Sequence, residues 1–423
     1  MFFGAGNLLL PPLLGYNAGE NWFWVAFGFM ITAVAIPIIG ILAHARLQGT
    51  LYDFGKKVSP QFSLIYCILI YVIAVAIPSP RTAAATHEIA IFPIFGSDPL
   101  WTSTIYFALV LVFVLNRSKI LGFIGKFLTP LIVIMLLLVI GIGLFSSEML
   151  TTASQIDTPL VTGILEGYQT FDAIGAVVVG AVIIISINFR NKGSFDEKRT
   201  LIAKSGWIAG FGLFIIYAGL ISVGAYYGSQ LDIDVALSND KQRAHLLRGI
   251  SIASLGAFGN TILSVLISLA CFTTAVGIIA GTADYFKGLL GNSQLVYRIT
   301  AFIACVLGVI VGQLNFDYII NFAVPVLLFI YPITIVLIIL NVLPKQFSTP
   351  IVFRAVVIVT FIFSIPDVVG FIASKAAFIS ILDGLAKITQ YIPLAQQSLG
   401  WVLPALAVCL GFGSLTTSET KET

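Results

Sequence analysis

Four groups of residues have the types and spacing to do chemistry. Asp172 stands in GYQTFDAIGAV at 167–177, with Gly175 three residues on. An ionised Asp near the middle of a membrane helix costs about 2.5–3.5 kcal/mol, so it faces a cavity, pairs or is protonated. At the outer interface the cost is small, and the neighbouring Glu166 and Gln169 leave the start of this stretch open between the two positions. At the chain start, Gly4-Ala5-Gly6 lets the backbone leave helical geometry at little steric cost. Asn7 is a good N-cap for an outward half-helix from about Leu8. Pro11 and Pro12 remove two backbone donors, which is least damaging close to a helix start. A half-helix beginning at mid-membrane presents free N–H groups and a partial positive charge, a receptor for a carboxylate. The same spacing would also serve a glycine-packed contact between helices.

Arg81 and Glu88 are seven residues apart and share a helix face, separated by about 10 Å along the axis. Arg81 suits a cavity lining and an interfacial anchor equally, and Pro78 and Pro80 disrupt the helix just before it. Thr273 and Thr274 lie in a long apolar stretch between Ala270 and Gly277. Isolated threonines in such helices back-bond to a carbonyl one turn earlier. Beside unwound carbonyls, the two hydroxyls can instead complete an oxygen shell for a hard cation such as Na⁺.

The elements that must carry these residues are membrane spans. Of 423 residues, 58% are hydrophobic and 10% charged, against about 25% charged in soluble domains. Hydropathy with Gly, Pro and charge punctuation places spans at 21–45, 61–95, 101–115, 121–146, 167–189, 203–227, 248–284, 299–313, 318–343, 351–372 and 393–414. With the opening fragment counted first, the total is about twelve. That fragment is too short to cross a bilayer, and the expectation is that an upstream half-helix of roughly 15–20 residues precedes it. One set of alternate loops holds sixteen of the 22 Lys and Arg, including Arg46, Lys56, Lys57, Lys198 and Arg199. The opposite set holds Lys241, Arg243, Arg248, Lys375 and Lys387, which makes the first set cytoplasmic and places the C-terminus inside.

Other chemistries find little support. Cys67, Cys271, Cys305 and Cys409 lie singly in apolar stretches, and His44, His87 and His245 are too dispersed for a metal cluster. No P-loop, HExxH or GxSxG motif occurs, and the scattered basic residues form no nucleic-acid tract.

The segments FFGAGNLLLPP, AGEN at 18–21, IPSPRTAAATHE at 77–88, GYQTFDAIGAV and ACFTTAVG at 270–277, in this order, resemble the branched-chain amino acid:cation symporters. The resemblance implies an all-α polytopic fold of the LeuT type, with two inverted repeats of five helices, the first helix of each broken at the bilayer midplane. The repeats would occupy 1–146 and 167–343, and 351–414 would add two further helices. It also implies a non-enzymatic carrier of leucine, isoleucine and valine in the cell membrane, coupled to Na⁺ or H⁺ and needing no other cofactor. Substrate contacts would fall on Gly4, Ala5, Gly6, Asn7, Arg81, Phe171, Asp172, Ala173 and Gly175, with Asp172 and Glu88 in coupling. A sodium ion would lie at Phe3, Ala270, Thr273 and Thr274, with Phe3 supplying a backbone carbonyl. The apolar residues around the breaks suit a branched aliphatic side chain, and the half-helix ends suit a zwitterion. Another neutral amino acid or a nucleobase is the alternative cargo. A membrane enzyme would need a polar cluster at one face, and a channel would need a repeated filter loop; the sequence offers neither.

Overall fold

The computed structural model describes residues 5–116, 120–146, 150–190, 194–227, 230, 239–314, 316–375 and 379–419. Among them, all regular structure is helical: α1 (Ala5–Ala18), α2 (Trp22–Met30), α3 (Ile36–Leu47), α4 (Leu51–Gly55), α5 (Pro60–Ala76), α6 (Pro78–Thr86), α7 (Phe92–Phe95), α8 (Pro99–Leu115), α9 (Ile120–Ser146), α10 (Pro159–Tyr168), α11 (Asp172–Arg190), α12 (Phe195–Tyr227), α13 (Asn239–Leu289), α14 (Gln294–Gly312), α15 (Phe316–Val342), α16 (Pro350–Lys375), α17 (Ile379–Thr389) and α18 (Val402–Glu419). Within the described residues, seven helical stretches have the length and apolarity to cross a membrane. Large apolar side chains such as Phe145, Ile208 and Phe258 point outward at 93%, 75% and 81% exposure. Such a surface suits hydrocarbon, where every backbone polar group must be satisfied within the helix itself. The chain is a multi-pass membrane protein.

Several helices depart from the expected spans, each for a local reason. The stretch expected at 61–95 is interrupted at Ile77 (φ −120°, ψ −70°), where Pro78 and Pro80 cannot donate to the preceding turn. It then passes through a π-helical turn at His87–Ile91. The stretch expected at 167–189 begins earlier, at Pro159, and is broken before Asp172. The stretch expected at 248–284 is broken at Gly256, whose φ of 70° and ψ of 177° suit only glycine. The last helix starts at Val402 rather than near 393, because Leu394 and Ser398 take left-handed conformations. Helix α17 has no counterpart among the expected spans.

The chain divides into two compact units. The first comprises the described parts of 1–34, 71–172 and 209–320. Its core joins Phe107, Val110 and Val114 of α8 to Ala275, Val276 and Ile279 of α13 and Ala301 and Ala304 of α14. Helix α10 lies against α2 at close range: a Cβ on Gly28 would sit 2.0 Å from the Leu160 carbonyl, and one on Gly163 would sit 2.1 Å from that of Val25. Thr32 Oγ1 donates across the same seam to the Ile164 carbonyl at 2.8 Å. The α1–α12 contact is equally tight, with Gly15 against Ile221 and Gly224 against Pro12.

The second unit comprises the described parts of 35–70, 173–208 and 321–423. Arg46 Nη1 donates to the carbonyls of Val342 and Leu343 at the end of α15, where helix carbonyls lack partners. Tyr66 donates to Thr334 Oγ1 at 2.9 Å, and Asn341 Nδ2 donates to the Phe54 carbonyl at 3.1 Å.

Candidate functional site

Helix α10 ends at Tyr168 and α11 starts at Asp172. Between them Phe171 takes φ 61°, a left-handed conformation that costs a bulky residue about 1–3 kcal/mol. The break gives Asp172 the first position of α11 instead of a place inside a continuous span from 167. Its backbone N–H donates to Thr170 Oγ1 at 3.2 Å, and Thr170 donates in turn to the Gly167 carbonyl at 2.8 Å.

The Asp172 side chain is 3% exposed and acts as an acceptor throughout. Asn7 Nδ2 donates to both carboxyl oxygens at 2.8 Å, and Tyr217 Oη donates to Oδ2 at 2.8 Å. Asn7 also contacts the Tyr217 hydroxyl, so the carboxyl, the amide and the phenol form one closed cluster. The Tyr217 ring packs edge-on against Phe29, with centroids 5.3 Å apart. Hydrogen bonds to a charged group are worth about 1.5–3 kcal/mol each, enough together to hold a carboxylate in an apolar surround.

This corrects the expectation that Asn7 caps a half-helix starting near Leu8. Helix α1 already runs from Ala5, so position 7 is helical and its side chain reaches across to Asp172. The burial of Asp172 also excludes a solvated position.

Arg81, 2% exposed on α6, stands on the other side of the break. Its Nη1 donates to the Gln169 carbonyl at 2.7 Å, and its guanidinium carbon lies 5.7 Å from the centre of the Phe171 ring. Residue 6 must be small for this approach: a Cβ on Gly6 would lie 3.0 Å from Arg81 Nη2 and 3.1 Å from the Gln169 carbonyl. Gly6, Asn7, Arg81, Phe171 and Asp172 are thus brought together within the first unit. Gly4 and Phe3 lie outside the described residues, and Ala5 opens α1. In the second unit, the Ala173 N–H donates to the Tyr331 hydroxyl at 3.3 Å, and a Cβ on Gly175 would meet nothing within 4 Å. Glu88 is half-buried in the π-helical turn and, among the described residues, makes no hydrogen bond to the Arg81 cluster.

Thr273 and Thr274 both donate to the Ala270 carbonyl, at 2.9 and 3.0 Å. Each hydroxyl oxygen keeps lone pairs that can face a cation, and α13, which carries them, packs against α1.

Tyr217, Gln169 and the pairing of Glu166 with Arg243 were not expected from the sequence. Tyr217 carried the clearest signal, a hydroxyl in the apolar run LFIIYAGLIS that needs a partner when buried.

A family model described as "Branched-chain amino acid transport protein" matches residues 1–418. The branched-chain amino acid transport system 2 carrier protein of Pseudomonas aeruginosa is 34% identical over 418 residues, covering 96% of this chain and 91% of that one. The branched-chain amino acid permease BraB of Bacillus subtilis is 32% identical with the same coverage. A manganese transporter of Eremococcus coleocola superposes with a TM-score of 0.51 at 14% identity, covering 97% of this chain and 95% of that one. At that identity the likeness shows the fold alone, the all-helical LeuT-type transporter fold.

Proposed function

The chain belongs to the branched-chain amino acid transport protein family, and from that premise we propose that it imports leucine, isoleucine and valine by alternating access, coupled to a cation. It is a carrier, as its named relatives are carriers and permeases. The observation that carries the reading is the buried opposition of Arg81 and Asp172 across the break at Gln169–Phe171. A zwitterion offers the complementary pair. Its carboxylate is assigned to Arg81 and the N–H groups of Ala5 and Gly6 at the start of α1. Its ammonium is placed at the Asp172 carboxylate, which Asn7 and Tyr217 hold in position. Phe171 provides apolar surface for the aliphatic side chain. Discrimination among leucine, isoleucine and valine is small, because one methylene is worth about 1–3 kcal/mol.

Sodium is the proposed coupling ion, held by the hydroxyls of Thr273 and Thr274 and the carbonyls of Ala270 and Phe3. Neutral oxygens in a small shell suit Na⁺ and cannot titrate. The second reading is proton coupling through Asp172, with Glu88 on the route, favoured by the complete burial of a titratable group in the cluster. The two inverted repeats are assigned to 1–146 and 167–343, and the C-terminus to the cytoplasm.

The test is uptake of labelled leucine into proteoliposomes with unlabelled competitors. Isoleucine and valine should compete at concentrations similar to leucine, while other neutral amino acids and nucleobases should not. Competition by a nucleobase or a small amino acid in place of valine would replace the cargo assignment.

A further inference from the structure

The hydrogen bonds around Arg81 continue away from the break. Gln169, whose carbonyl accepts from Arg81, donates through its own Nε2 to Glu166 Oε1 at 2.9 Å. The other Glu166 oxygen lies 3.9 Å from Arg243 Nη2. Arg81 and Arg243 both act electrostatically on this single carboxylate, and both are buried, at 2% and 7% exposure. All four residues belong to the first unit.

From this arrangement we propose that the Glu166–Arg243 pair is a positioning device for Arg81, setting where its guanidinium stands for the substrate carboxylate. The inference rests on the reading of Arg81 as the carboxylate partner. Two physical requirements support it. Phe171 holds φ 61° at the break, and such a conformation persists only when its surroundings over-determine it. The Glu166–Gln169 bond is one such restraint, fixing the turn whose carbonyl aims at Arg81. The second requirement is charge balance. Without Arg243, Glu166 would have Arg81 as its dominant cationic neighbour. The two would then draw together, and that internal pair would compete with the substrate carboxylate for the same guanidinium. Arg243 draws the negative charge to the far side and so weakens that competition.

The experiment measures KM for leucine and inhibition by leucinamide, which lacks the carboxylate charge, in proteoliposomes of the full chain. Arg243→Gln should raise the leucine KM about tenfold, the worth of one charge-assisted contact, and leave leucinamide inhibition unchanged. Adding Glu166→Gln removes the competing charge and keeps an acceptor for Gln169. The double variant should therefore return to within about threefold of the parent. A structural lesion would shift both ligands together and would not be rescued by a second substitution. An unchanged leucine KM in Arg243→Gln, parallel shifts for both ligands, or a double variant as weak as the single would overturn the positioning role. Arg81→Gln separates this failure from that of the underlying reading. If it leaves the leucine-to-leucinamide ratio unchanged, Arg81 does not hold the carboxylate, and the inference falls with that assignment. If it collapses the ratio while Arg243→Gln leaves it intact, only the positioning role is lost.

Discussion

The Asp172 cluster and the Thr273–Thr274 pair are two ways of placing oxygen in an apolar helix bundle. Asp172 depends on residues far away in the chain, 165 positions back to Asn7 and 45 forward to Tyr217. The threonines depend on their own helix, since both hydroxyls return to the Ala270 carbonyl three and four residues earlier. A charge needs several donors from different elements, and only the folded chain supplies them. A hydroxyl is satisfied wherever a helix carbonyl is within reach. The first arrangement therefore joins three distant segments of the first unit, whereas the second can face a ligand without disturbing the fold.

The comparison breaks most visibly at Asp172. Asp172→Asn keeps shape but removes the charge and one of the two acceptor oxygens that three donor contacts serve. It should lower cation-driven leucine accumulation by at least about tenfold, from bonds worth about 1.5–3 kcal/mol each, with the protein still inserted and monodisperse by size exclusion. Unchanged accumulation would retire Asp172 from the site. The Thr273→Val/Thr274→Val double variant should act differently. Thermal unfolding should stay within about 1 kcal/mol of the parent, because each lost bond is local and neutral. Half-maximal leucine uptake should nevertheless need much more sodium. A large fall in stability with unchanged sodium dependence would make the pair structural. Tyr217→Phe sharpens the contrast with the smallest effect. The ring keeps its contact with Phe29 and Asp172 keeps both Asn7 contacts. Uptake should weaken by about tenfold, the lower end of what one bond to a charged group is worth, about 1.5 kcal/mol.

The same contrast explains what the sequence made legible. The interruption in TFDAIGA could be read from composition, since an Asp and a Gly in an apolar run mark a place where a plain helix is expensive. The proline break before Arg81 was visible for the same reason. The partners were not visible, because nothing near Asn7 names Asp172 and the residue type alone favoured an N-cap. Arg243 was counted among the outer-loop charges by its neighbours Lys241 and Arg248, yet it is buried against Glu166. Gly256 sat unnoticed in a long apolar run, since a lone glycine there is equally a packing site until its φ is known. The local bond of the threonines was legible because it needs only the helix they sit in.

Leucine uptake under one imposed gradient at a time tests the account most directly. Proteoliposomes containing the full chain would be given an inward sodium gradient at equal pH, then an inward proton gradient without sodium. The account predicts concentrative uptake under the sodium gradient and none under the proton gradient alone. Uptake that follows the proton gradient and ignores sodium would contradict the threonine cation site and move coupling to Asp172.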